Sequence, residues 1–235
     1  NYTKKAIGIE YSPQDEVLVT VGVSEAIDIA LRALIEPGDE VLVPEPSFVS
    51  YAPGATLAYG KAISVPTYDK DEYRLKADEL EKLITPKSKV LILAYPNNPT
   101  GAIMEAEDLQ EIVDIVIKND LIVISDEIYA ELTYGGQHVS IASFSGMRDR
   151  TIVTNGFSKA FAMTGWRIGY ACGHPEIIAA MTKIHQYAIM CAPIMGQKAA
   201  LEALRHGESE MHKMVEDYNN RRKIILSGFQ EIGLD

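Results

Sequence analysis

Residues 154–170 read Thr-Asn-Gly-Phe-Ser-Lys-Ala-Phe-Ala-Met-Thr-Gly-Trp-Arg-Ile-Gly-Tyr. A β-branched run over 151–154 stops at Asn155-Gly156. It is followed by a hydroxyl (Ser158), an amine (Lys159) and, after a short apolar segment, a guanidinium (Arg167). A lysine amine attacks carbonyls once burial or cationic neighbours lower its pKa. An arginine suits a phosphate because its planar fork offers paired donors and keeps its charge. Alone, Lys159 reads as an ordinary exposed lysine; its companions elsewhere in the chain decide otherwise.

Four further motifs each follow an apolar run. Gly22-Val23-Ser24 opens a helical segment, where free backbone N–H groups and the positive end of the helix dipole can cradle a phosphate; many strand-to-helix turns carry Gly and Ser for turn chemistry alone. Phe48, in Pro-Glu-Pro-Ser-Phe-Val-Ser-Tyr (44–51), can stack on a flat ring or belong to the core. Tyr-Pro-Asn-Asn-Pro-Thr-Gly (95–101) is a proline-fixed turn that presents Asn98 directly before its second proline. Asp126, in Ser-Asp-Glu-Ile-Tyr (125–129), leaves the apolar run 121–124. It is a helix N-cap or a carboxylate that needs a cationic partner to be buried.

Taken together, these residues resemble the class I/II aminotransferases, the fold-type I enzymes that use pyridoxal phosphate, and the match runs across nearly the whole chain. The resemblance implies that Lys159 forms a Schiff base with the cofactor aldehyde and then moves protons as general base and acid. Arg167, Gly22, Val23 and Ser24 would hold the phosphate, and Phe48 would stack on the ring. Asn98 and Tyr129 would donate to the ring's phenolate oxygen, and Asp126 would keep the ring nitrogen protonated. Some branches carry a phosphate-binding hydroxyl three residues before the lysine; here that place is Gly156, and Ser158 is the candidate instead. The implied reaction is transamination between an amino acid and a 2-oxoacid, in a cytoplasmic homodimer. A carbon–sulfur β-lyase of the same fold, or the cofactor-binding domain of an aminotransferase-like regulator, would keep every motif named.

The elements that must position these groups alternate. Apolar, β-rich runs are expected over 16–21, 40–43, 61–65, 89–94, 121–125, 151–154 and 167–172, with helices over 24–35, 77–84 and 106–119 among them. That pattern predicts a three-layer α/β/α domain with a mostly parallel seven-stranded sheet. Only about a dozen residues separate Thr154 from Arg167, too few for a lysine turn and a helical crossover, so the strand over 167–172 is expected to be antiparallel. Helices should follow over 175–186 and 193–205, then a long amphipathic one. The expected division is a helix end and turn over 1–14, a cofactor-binding domain over 15–207 and, over 208–235, a helix leading to a small domain.

Composition bounds the function. The 235 residues are 47% hydrophobic, and the net charge of -11 speaks against nucleic acid or an anionic membrane surface as partner. The five histidines have no ligand-like spacing, and the two cysteines, Cys172 and Cys191, sit in apolar settings that suit reduced thiols rather than a metal site or a disulfide framework. No run is long enough for a membrane helix. The chain starts at Asn1 without methionine and stops at Asp235 just after Glu-Ile-Gly-Leu, and it reads as a piece of a longer one. Family members take the substrate carboxylate on an arginine of the small domain, so the resemblance implies that this piece alone is inactive.

Overall fold

The computed structural model describes residues 2–234. Asn1 and Asp235, included in the expected terminal segments, lie outside the described residues. A short helix α1 (Tyr2–Ile7) leads into a seven-stranded sheet with spatial order β1-β7-β6-β5-β4-β2-β3. The strands are β1 (Val17–Thr20), β2 (Glu40–Glu45), β3 (Lys61–Pro66), β4 (Ser88–Ala94), β5 (Ile122–Asp126), β6 (Thr151–Gly156) and β7 (Gly169–Cys172). β7 runs antiparallel to both neighbours, pairing Gly156 with Gly169 on one side and Thr20 with Gly169 on the other. All the other pairings are parallel.

Helices cover both faces, and the two-residue period of the strands explains how. Val90, Ile92 and Ala94 of β4 face one cluster, together with Ile27, Ala30 and Leu31 of α2 (Gly22–Leu34), Tyr51 and Ala55 of α3 (Tyr51–Leu57), and Ile178 and Met181 of α6 (Pro175–Ala188). The alternate residues Leu91 and Leu93 face the other way, onto Leu80 of α4 (Ala77–Leu83) and Leu109, Ile112 and Val116 of α5 (Ala106–Lys118). A strand apolar on both sides has no solvated face, which is why it reads as a continuous apolar run. After α6 come α7 (Ile194–His206) and α8 (Glu208–Glu231), and Met211 is the only buried residue of α8.

Two features depart from expectation. Helix α3 was not read from the sequence, because Tyr-Ala-Pro-Gly-Ala-Thr-Leu combines proline and glycine in one short segment; its burial of Tyr51 and Ala55 sustains it. The last strand begins at Gly169 rather than at 167. A 3₁₀ turn over Thr164–Trp166 intervenes, and Arg167 closes it in the left-handed conformation (φ 54°).

Candidate active site

Parallel strands deliver their C-terminal ends to one edge of the sheet, and loops there build ligand sites in open α/β folds. Gly22 follows β1, Phe48 follows β2, Asn98 follows β4, Asp126 ends β5, and Lys159 follows β6. Antiparallel β7 starts at that same edge, so Arg167, two residues ahead of it, arrives there as well. A cavity of about 230 Å³ is lined by Val23, Ser24, Phe48, Asn98, Asp126, Tyr129, Ser158, Lys159 and Arg167. Gly22 stands immediately behind that lining, at the first position of α2.

One part of the cavity is formed by the start of α2 and the Arg167 guanidinium. Gly22 has φ +73°, and a Cβ there would lie 2.5 Å from Nη2 of Arg167, so the guanidinium rests on the bare glycine. The N-terminus of α2 has no side-chain cap. Among the described residues no carboxylate pairs with Arg167, which donates from Nη1 to the Thr164 carbonyl oxygen at 3.1 Å. An unpaired guanidinium over an uncapped helix N-terminus is a site for a phosphate-like group. β7 can pass beneath the cradle because residue 169 is glycine; a Cβ there would come within 2.7 Å of the Val23 nitrogen. The same closeness explains Gly156, where a Cβ would lie 2.9 Å from the Gly169 Cα and leave no room for a hydroxyl-bearing side chain.

At the opposite end sits a carboxylate. Asp126 is 6% exposed, accepts a hydrogen bond from the Tyr51 hydroxyl at 2.8 Å and another from the Ile128 N–H at 3.1 Å. Burial pushes its carboxyl up to about 6, as does any unbalanced charge on the adjacent Glu127, against these two bonds and the charge of Lys159, which act downward. Asp126 is not a helix N-cap, since the next helical turn begins at Ala130 with Tyr129 before it; it accepts from the Ile128 N–H in the turn after β5 and is a buried acid without an ion-pair partner among the described residues. A protonated ring nitrogen fits that need.

Between the two ends, Nζ of Lys159 lies 5.3 Å from the centroid of the Tyr129 ring. Phe48 is 41% exposed and meets Tyr51 edge-on with centroids 5.8 Å apart, so it belongs to the cavity rim and not to the core. Asn98 is exposed at the rim and precedes a cis proline, while Ser158 is half-buried. The cavity thus has a cationic end, an acidic end, a lysine between them and an aromatic ring beside them. Pyridoxal phosphate, with its phosphate, basic nitrogen, flat ring and aldehyde, fits this donor set.

Sequence reasoning missed Tyr51. It lies three residues past Phe48, one turn on, and an aromatic with a hydroxyl at the start of a short helix was the only signal.

The chain matches the family model for aminotransferase class I and II over residues 1–235. The chain belongs to the class I and II aminotransferases. Among curated members of this aminotransferase family it is 47% identical to the putative aminotransferase YugH of Bacillus subtilis, over 99% of the chain and 60% of that protein. It is 46% identical to an aspartate aminotransferase of Pyrococcus abyssi, over 98% and 60%. An aromatic aminotransferase structure from Pyrococcus horikoshii superposes with a TM-score of 0.97 at 46% identity, covering 100% of this chain and 63% of the other. This aminotransferase chain therefore spans about 60% of the length of the curated relatives it matches.

Proposed function

We propose that the chain binds pyridoxal 5′-phosphate and, within a complete enzyme, transfers an amino group between an amino acid and a 2-oxoacid. The observation that carries this reading is the single cavity in which Arg167, Lys159 and Asp126 line one space. When bound, the cofactor supplies a carbonyl for the substrate amine and an electron sink for the α-carbon. Arg167, the glycine turn at Gly22 and the N–H groups of Val23 and Ser24 hold its phosphate, with Ser158 beside them. Phe48 would pack on the ring, and Asn98 and Tyr129 would be its hydrogen-bond donors. Asp126, oriented by the Tyr51 hydroxyl, holds a proton at the ring nitrogen. Lys159 takes a proton from the substrate α-carbon and returns it on the other side of the transfer. A homodimer and a cytoplasmic location belong to the same proposal. Free Cys172 and Cys191 suit a reducing compartment. No helix among the described residues is long and apolar enough to cross a membrane.

The test loads the protein with pyridoxal phosphate, reduces it with borohydride and maps the peptides. A cofactor adduct on Lys159 supports the reading; an adduct on Lys183 or Lys198, or none, overturns it.

A further inference from the structure

Strand β5 ends at Asp126, and the residue just past it, Glu127, is a second carboxylate with different surroundings. Asp126 points to the cavity and Tyr51. Glu127 points away, is 1% exposed, and is enclosed by the segment 133–140. Its Oε1 accepts hydrogen bonds from the hydroxyls of Ser125 (2.9 Å) and Ser140 (2.6 Å). Its Oε2 faces Nε2 of His138 at 3.0 Å. Both atoms are fully buried and neither makes a hydrogen bond, so the 3.0 Å approach is a close contact without an aligned bond. One proton held between them would satisfy both.

The surroundings narrow what can balance the charge. Tyr11, Tyr170, Cys172 and Glu131 are the other titratable groups around Glu127. All four are acids and cannot bring positive charge in either protonation state; burial raises each, the Cys172 thiol to about 12, which favours their neutral forms. Among the described residues, His138 is the only basic side chain within ion-pair distance of Glu127. Asp126 meets Tyr51, with Tyr129 and Lys159 nearby. An unbalanced carboxylate on the adjacent residue would drive Asp126 toward its neutral form, since like charges oppose ionisation.

We propose that Glu127 and His138 are a positioning pair, sharing one proton across their 3.0 Å contact so that the carboxylate beside Asp126 adds no net charge behind the cofactor's ring nitrogen. The inference rests on the cofactor reading of the cavity. It concerns residues that touch neither cofactor nor substrate. Segment 133–140 thereby serves the site, and the ring of Tyr134 in it lies under the Arg222 guanidinium of α8, 5.3 Å from the ring centroid.

The experiment follows the Asp126 carboxyl by ¹³C NMR in cofactor-free protein labelled at aspartate, with Asp126→Asn to assign the signal. His138→Gln removes the shared proton and should raise the Asp126 midpoint by about one pH unit or more. Glu127→Gln keeps the site neutral and should leave the midpoint where it is. The double variant should return to the wild-type value. An unchanged midpoint in His138→Gln overturns the proposal. So does a midpoint lowered by about one unit or more in Glu127→Gln, because Glu127 would then carry an unbalanced charge. Should His138→Gln fail to fold, the Glu127→Gln result decides alone. The titration needs no cofactor, and binding of pyridoxal phosphate is read separately by absorbance, so failure of the pair and failure of the cofactor reading give different results.

Discussion

At the scale of single residues, Asp126 carries the sharpest consequence. Its carboxyl, ordinarily at 3.8, is pushed up to about 6 by burial. Between those values the folded protein binds a proton that the unfolded chain releases, so stability contributed by this group is present at low pH and lost as pH rises through about 6. In cofactor-free protein, Asp126→Asn should therefore be more stable than wild type at pH 8, by on the order of 2–3 kcal/mol, and equal to it near pH 4. Thermal unfolding at three pH values checks the sign. With cofactor bound the order should reverse, because the variant no longer holds a proton at the ring nitrogen.

At the scale of elements, the cradle depends on three backbones meeting: the start of α2, the start of β7 and the end of β6. Gly22→Ala places a methyl where Arg167 now lies and forces a β-carbon onto a positive φ. The fold should tolerate this at a cost of about 1–2 kcal/mol. Phosphate affinity should suffer more, with pyridoxal phosphate binding falling tenfold or more while pyridoxal itself, lacking the phosphate, loses little. Parallel titrations of the two compounds would separate a cradle defect from general damage; equal losses would move the phosphate elsewhere.

At the scale of the whole molecule, the helices after the sheet leave apolar surface uncovered. Ile224, Ile225, Leu226 and Phe229 of α8 are exposed, as are Tyr187, Met190, Ile194 and Met195 around the α6–α7 connection. Apolar area of that kind marks interaction surface. Sedimentation velocity should show self-association that grows with concentration, and Met190→Asp with Met195→Asp should weaken it. The cations lining the cavity are Lys159 and Arg167, and in the proposed function Arg167 is committed to the phosphate. A substrate α-carboxylate thus finds no second guanidinium there, a loss on the order of 2–5 kcal/mol of binding. Single-turnover formation of an oxoacid should accordingly be far slower than in a longer relative; ammonia with pyruvate as products would identify a lyase instead.

Much of the site was legible in the sequence because fold-type I chemistry concentrates residue types that are individually common and jointly rare. Lys159, Asp126 and Asn98 each follow an apolar run and Arg167 precedes one, so strand order together with the antiparallel sense of β7 places them at one edge. The antiparallel sense of β7 was legible too, since about a dozen residues cannot cross over a sheet. Tertiary structure alone decided the rest. Tyr51 became the partner of Asp126 through a short helix that propensity does not predict, held by packing under α2. Glycines 156 and 169 acquired their meaning from backbones that are distant in sequence and meet within 3 Å of a missing Cβ, and Gly22 from the Arg167 guanidinium, 2.5 Å from its missing Cβ. The sharing of burial between Asp126 and Glu127 followed the same logic. Composition records two acids side by side, but only the tertiary structure, by giving them different neighbours, determines that Asp126 lines the cavity and Glu127 meets His138.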